Sequence, residues 1–159
     1  MKWITATDLE RWANTLNSET ELAELVKDLI RASVIDIRAF RFPIGDSAQV
    51  PGRDGRLSSL GAPPYVPEGD SVWEFGTGKD YVGKANGDYR TRSKDPQGVN
   101  PGPTTFVFVT PRRWVRKRIN IEKWANEKRA EKLWKDVRVV DGIMLEDWLD
   151  QCPVAGSSR

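Results

Sequence analysis

Histidine is absent from this chain, and cysteine occurs once, at Cys152. Without histidine there is no Ser-His-Asp triad, no Cys-His nucleophile, no imidazole general base and no histidine-rich metal site. A lone cysteine excludes an internal disulfide and a cysteine cluster for zinc, and its place in an apolar C-terminal helical pattern marks it as a small core residue. Any catalysis must therefore run on carboxylates, lysine and a hard metal ion. Long apolar runs are also lacking, and the opening residues MKWITATDLERW carry no signal-peptide pattern, so a cytoplasmic location and no membrane partner are expected. A nucleotide-binding P-loop is excluded as well. In GTGKD the required first glycine would fall at Trp73, and Asp80 stands where serine or threonine is needed.

A chain of 159 residues has the size of one ordinary domain able to bury its own core. Net charge is only +2, but its distribution is uneven. Arg112, Arg113, Arg116, Lys117 and Arg118 open a basic third of the chain that continues through Lys123, Lys128, Arg129, Lys132, Lys135 and Arg138, offset only by Glu122, Glu127, Glu131 and Asp136. Such a surface suits a polyanion such as nucleic acid; a merely solvated helix face has the same composition.

The stretch Pro51 to Asp80 reads as a β-hairpin. A first strand opens at Asp54, a Gly- and Pro-rich loop follows, and a second strand runs from Ser71 to Phe75. Pairing symmetric about Pro64 sets Asp54 opposite Glu74, with Leu57, Trp73 and Phe75 on one face and Asp54, Arg56, Glu74 and Gly76 on the other. Directly opposed residues have Cβ atoms about 5 Å apart, where like charges repel, and a divalent cation such as Mg²⁺ is the simplest way to hold two carboxylates together. Each acid alone has a plainer reading: Asp54-Gly55 as a turn, Glu74 as a solvent-facing residue on an edge strand.

Around this hairpin the elements alternate. Thr7 or Asp8 caps a short helix containing Leu9, Trp12, Ala13 and Leu16; Ser18 starts a stronger one with the stripe Leu22, Leu25, Val26, Leu29 and Ile30. Val34 to Phe42 is a strand, ended by Pro43 and the turn residues Gly45 and Asp46. The segment after Lys79 predicts a short, frayed helix interrupted by Gly87. Thr104 to Thr110 is the best buried strand, followed by a basic stretch and a helix with Ile121, Trp124, Ala125, Lys128 and Leu133 inward. Asp136 to Val140 is a strand, and Asp141-Gly142 leads into a last helix with Ile143, Leu145, Trp148 and Leu149, stopped by Pro153. Of the seven tryptophans, Trp114, set amid arginines, is the one candidate for stacking on a base. The order predicts an α/β fold: a mixed central β-sheet flanked by helices, with an antiparallel hairpin beside strands made parallel by helical crossovers.

A leading helix, GRDG at one strand, VWEFGTGK at the next, then a helix and a parallel strand resemble the restriction-endonuclease-like PD-(D/E)xK nuclease superfamily. The distal half, TFVFVTPRRW, the AEKLW helix and DVRVVDGIMLEDWL, is similar to the C-terminal half of Mrr-type domains, and the whole looks like the nuclease-like modules at the N-terminus of bacterial anti-phage NTPases and sensor proteins. The resemblance implies a single nuclease-like domain over residues 1–155, an N-terminal piece of a longer protein, with 156–159 a linker-like tail. It further implies a Mg²⁺- or Mn²⁺-dependent DNA endonuclease: Asp54 and Glu74 hold the metal, Glu21 on the leading helix joins them, and Lys79 is the catalytic lysine. Duplex DNA would meet Arg112, Arg113, Arg116, Lys117 and Arg118, C-terminal NTPase or sensor domains would be partners, and activation would involve self-association. The chain departs from the motif at Gly76, the usual lysine position; Lys79 lies just beyond it, and Lys84 is a poorer substitute. That departure keeps open a catalytically silent module that binds nucleic acid or self-associates.

Overall fold

Five strands, β1 (Ile37–Arg41), β2 (Arg56–Ser59), β3 (Gly69–Phe75), β4 (Thr104–Val109) and β5 (Asp136–Val140), form one sheet in chain order. The computed structural model describes residues 4–42 and 55–152. Asp54, the turn expected around Gly45 and Asp46, and the tail 156–159 lie outside the described residues. The first three strands make an antiparallel meander, whereas β3, β4 and β5 are parallel. Parallel neighbours need a crossover, and α3 (Tyr81–Lys94) and α4 (Ile121–Arg129) supply the two. The mixed sheet flanked by helices is the architecture expected from the sequence.

Each face of the sheet carries its own core. On one side α1 (Ala6–Ala13), α2 (Ser18–Ser33) and α5 (Gly142–Gln151) bury Leu9, the whole predicted stripe Leu22, Leu25, Val26, Leu29 and Ile30, and Trp148 against Trp73, Phe75 and Val107. On the other side Tyr81, Ala85, Tyr89 and Trp124 from α3 and α4 cover Val72, Phe106, Phe108, Val137 and Val139. The central strand β4 is buried along its entire length, as its run of β-branched and aromatic residues requires.

Several local expectations are corrected. The first helix is capped by Thr5, with Asp8 closing a reciprocal capping box, and it ends at Ala13, which leaves Leu16 96% exposed. Ile143 and Leu133 are also exposed, Leu133 because α4 has already ended at Arg129. The largest correction is α3, an unbroken helix of 14 residues running straight through Gly87. Asp80 caps it by accepting a hydrogen bond from Gly83 N at 3.0 Å, and burial of Tyr81, Ala85 and Tyr89 outweighs the ~1 kcal/mol that an interior glycine costs. No helix among the described residues is long and apolar enough to cross a membrane.

Candidate functional site

The hairpin register is the one the symmetric reading requires. Arg56 pairs with Val72, Leu57 with Ser71, Ser58 with Asp70 and Ser59 with Gly69, and Trp73 N donates to Gly55 O at 2.9 Å to continue the ladder. Asp54, which this register would set against Glu74, lies outside the described residues. The face assignments also hold: Leu57, Trp73 and Phe75 enter the core beneath α2 and α5. The opposite face of β3, the one that carries Glu74, is covered by α3.

Glu74 is consequently sealed, not solvent-facing on an edge. It is 5% exposed, on a strand with neighbours on both sides, and Arg92 of α3, 4% exposed, donates from Nη2 to its Oε1 at 3.0 Å. A carboxylate carried into a low-dielectric interior is held in its charged form only by such a partner. The other terminal nitrogen of Arg92, Nη1, is buried with no hydrogen-bond partner among the described residues. A buried donor without an acceptor costs about 1–3 kcal/mol, so this position favours an oxygen from a water or a ligand.

Lys84, Asp88 and Arg92 recur every four residues on α3 and so share one flank of the helix. Lys84 Nζ lies 3.1 Å from Asp88 Oδ1, with side-chain exposures of 42% and 15%. Strand and helix run in opposite directions, so Lys84, near the start of α3, meets Gly76, just past the end of β3. A Cβ at Gly76 would stand 2.6 Å from Lys84 Cγ and 3.0 Å from Phe108 Cζ. Glycine is required there because the lysine stem crosses over it. Beside this row, on the same sheet face, a cleft of 260 Å³ opens over Arg56, Ser58, Asp70 and Val72 beneath the Gly98–Asn100 turn.

Lys79 is exposed in the turn between β3 and α3 and makes no hydrogen bond or ion pair among the described residues. Glu21 sits on α2, on the opposite side of the sheet from Glu74, and its Oε2 accepts from Trp12 Nε1 at 2.9 Å. The five basic residues do not act together. Arg112 is buried, donating from Nε to Thr77 O at 2.6 Å and from Nη2 to Asn14 Oδ1 at 2.8 Å, and Arg113 pairs with Glu10 at 2.8 Å. These two tie α1 to the loops at the carboxyl ends of β3 and β4. Arg116, Lys117 and Arg118 are exposed, with the Arg116 guanidinium 4.7 Å from the centre of the Tyr81 ring. Trp114 is no stacking platform: it is buried against Tyr81 and Trp124 and donates from Nε1 to Ile119 O at 2.8 Å.

Asp141, the acid of the Asp-Gly pair, has a structural task. Its Oδ1 accepts from Met144 N to cap α5, and its Oδ2 accepts from Trp114 N at 3.0 Å. Among the described residues no three acids or cysteines gather into a metal-binding cluster. A magnesium-type ion needs only one or two carboxylates besides water and phosphate oxygens. Glu74, fixed by Arg92, is one carboxylate of the kind a hard divalent ion takes; Asp54, the second expected from the sequence, lies outside the described residues. Comparison with family models, curated proteins and solved structures finds no match to this chain.

Proposed function

We propose that this chain is a metal-dependent DNA endonuclease domain of the restriction-endonuclease-like class, acting in the cytoplasm as the effector of a longer bacterial anti-phage protein. The observation that carries this reading is a buried carboxylate, Glu74, anchored by Arg92 on a strand shared by the antiparallel hairpin and the parallel half of the sheet. The order of elements supports it: a leading helix, a hairpin with the acid on its second strand, a helix and a parallel strand. Asp54 and Glu74 would hold Mg²⁺ or Mn²⁺, which when bound polarises the scissile phosphoryl group and acidifies an attacking water. The chain's own contribution is positional. Arg92 holds the Glu74 carboxylate in one orientation, and the exposed Arg116, Lys117 and Arg118 supply cations to the DNA backbone.

The test is cleavage of supercoiled plasmid at high protein concentration with Mg²⁺ or Mn²⁺ against EDTA, beside Glu74→Gln and Asp54→Asn. Glutamine keeps the size of the side chain and an acceptor for Arg92, which alanine would not. Metal-dependent nicking lost in both variants is expected; undiminished nicking in both would sink the reading.

One observation favours a second reading, a silent module that binds nucleic acid or self-associates: Glu74 is already engaged by Arg92, and Gly76 carries no side chain. Salt-sensitive duplex binding without cleavage, also in a forced dimer, would decide for it.

A further inference from the structure

Helix α3 places three ionisable residues, Lys84, Asp88 and Arg92, beside the inner positions where it buries Ala85 and Tyr89. At the buried end of the row, apolar residues of similar volume in place of Arg92 and its partner Glu74 would be neutral or stabilising, since the desolvation of buried ions is seldom repaid by their attraction. The strand beneath also lacks a side chain: Gly76 is bare, and the lysine stem lies across it. Both features serve to bring one ammonium group to a chosen place. Arg92 forms the closed end of the row, 4% exposed and committed to Glu74, whereas the Lys84 side chain forms the open end, 42% exposed.

We propose that Lys84 is the residue that meets the substrate's phosphate at this site, with Asp88 and Arg92 as positioning residues. This assignment rests on the phosphodiesterase reading and replaces Lys79 in it. The geometry is specific. Side chains on one face of a strand are spaced about 6.7 Å apart, so the Lys84 stem, lying over Gly76, stands about one such step from Glu74. Helical side chains lean towards the N-terminus of their helix, which lets the long Arg92 side chain reach back to Glu74 while Asp88 holds the ammonium from the next turn. An ammonium so held is a compact donor for a non-bridging phosphate oxygen, and no proton leaves it. Lys79 has neither a partner among the described residues nor a stem packed against the sheet.

The experiment compares wild type, Lys84→Met, Lys84→Ala, Lys79→Met, Glu74→Gln and the transfer variant, Gly76→Lys combined with Lys84→Ala, each first checked for an unchanged far-ultraviolet spectrum. Two readouts are taken: plasmid nicking in Mg²⁺, and the salt dependence of duplex binding in Ca²⁺. Expected are a loss of nicking of about 100-fold in Lys84→Met, a scale typical of losing one charge-stabilising donor, recovery of about tenfold in the transfer variant relative to Lys84→Ala, and a salt slope lower by about 0.9, as for one lost phosphate contact. A merely structural lysine would move neither the slope nor the transfer result. Active Lys84→Met beside dead Glu74→Gln overturns the assignment and leaves the nuclease reading standing, as does a larger loss in Lys79→Met than in Lys84→Met. If wild type itself fails to nick, the nuclease reading falls, and the salt slope alone decides: a slope unchanged in Lys84→Met overturns the assignment, and a reduced one upholds Lys84 as a phosphate contact.

Discussion

The two faces of β3 solve opposite problems within a single strand of seven residues. Ser71, Trp73 and Phe75 point into the core beneath α1, α2 and α5, where a polar pairing along the strand is local, Trp73 Nε1 donating to Ser71 Oγ at 2.8 Å. Val72 and Glu74 point beneath α3, where an ion pair is buried among the aromatic rings. Burial alone does not separate these faces; what separates them is whether the buried group has an alternative in water. An indole leaves water with a gain, whereas a carboxylate does so only because a guanidinium follows it. The first face reads as stability. The second reads as a site maintained at some expense of stability.

Breaking each face in turn sharpens the contrast. Trp73→Ala removes a fully buried ring that contacts Phe42 and Trp148 at centroid distances of 6.1 and 6.5 Å, and should cost about 3–5 kcal/mol in denaturant unfolding. No second substitution on that face should restore the loss, because what is missing is volume. Glu74→Ala should cost a similar ~3–5 kcal/mol, for a different reason: it leaves the Arg92 guanidinium buried without its anion. Here a second substitution should help. Glu74→Leu with Arg92→Met should recover most of the loss, or exceed wild type, while abolishing any cleavage. A double variant as unstable as Glu74→Ala alone would show that the second face is ordinary core and would remove the reason to regard it as a site.

How far this contrast was legible in the sequence follows from which patterns are periodic. The α2 stripe, the buried strand β4 and the hairpin register were readable because apolar spacing and turn residues specify them locally. The face assignment of Leu57, Trp73, Phe75 and Glu74 followed from the period of two. Helix α3 reads as frayed in the sequence because the segment is polar and Gly87 interrupts it; its buried residues Tyr81, Ala85 and Tyr89 are interleaved with Lys84, Asp88 and Arg92, which dilutes the apolar period. The signal that would have found it is electrostatic: cation, anion and cation at successive intervals of four residues. The basic stretch misled for a complementary reason. Nothing in PRRWVRKR distinguishes an arginine that serves backbone carbonyls, such as Arg112, from one left to solvent, because its acceptors Thr77 O and Asn14 Oδ1 are remote in the chain.

A smaller effect tests whether charge outside the site behaves as ordinary surface pairing. Burial pushes the Asp136 carboxyl up, but hydrogen bonds from Arg129 at 2.7 Å, Arg138 at 3.0 Å and the Val137 amide outweigh it, and the net shift is below the ordinary 3.8. A carboxylate with a depressed folded-state pKa stabilises the fold above its unfolded value and loses that contribution as pH falls through the folded one. Wild type should therefore be more stable than Asp136→Asn by a constant amount above pH 3.8, and the difference should shrink below it. Salt should reduce it as well, since Arg129 and Arg138 are both partly exposed. The Glu74–Arg92 pair is far less exposed, and its coupling in a double-mutant cycle should be weakened less by salt. Melting curves for both pairs across pH and ionic strength read this out. A Glu74–Arg92 coupling as salt-sensitive as that of Asp136 would mean that the closed end of the row is screened like the surface, and the two kinds of charge would no longer be distinct.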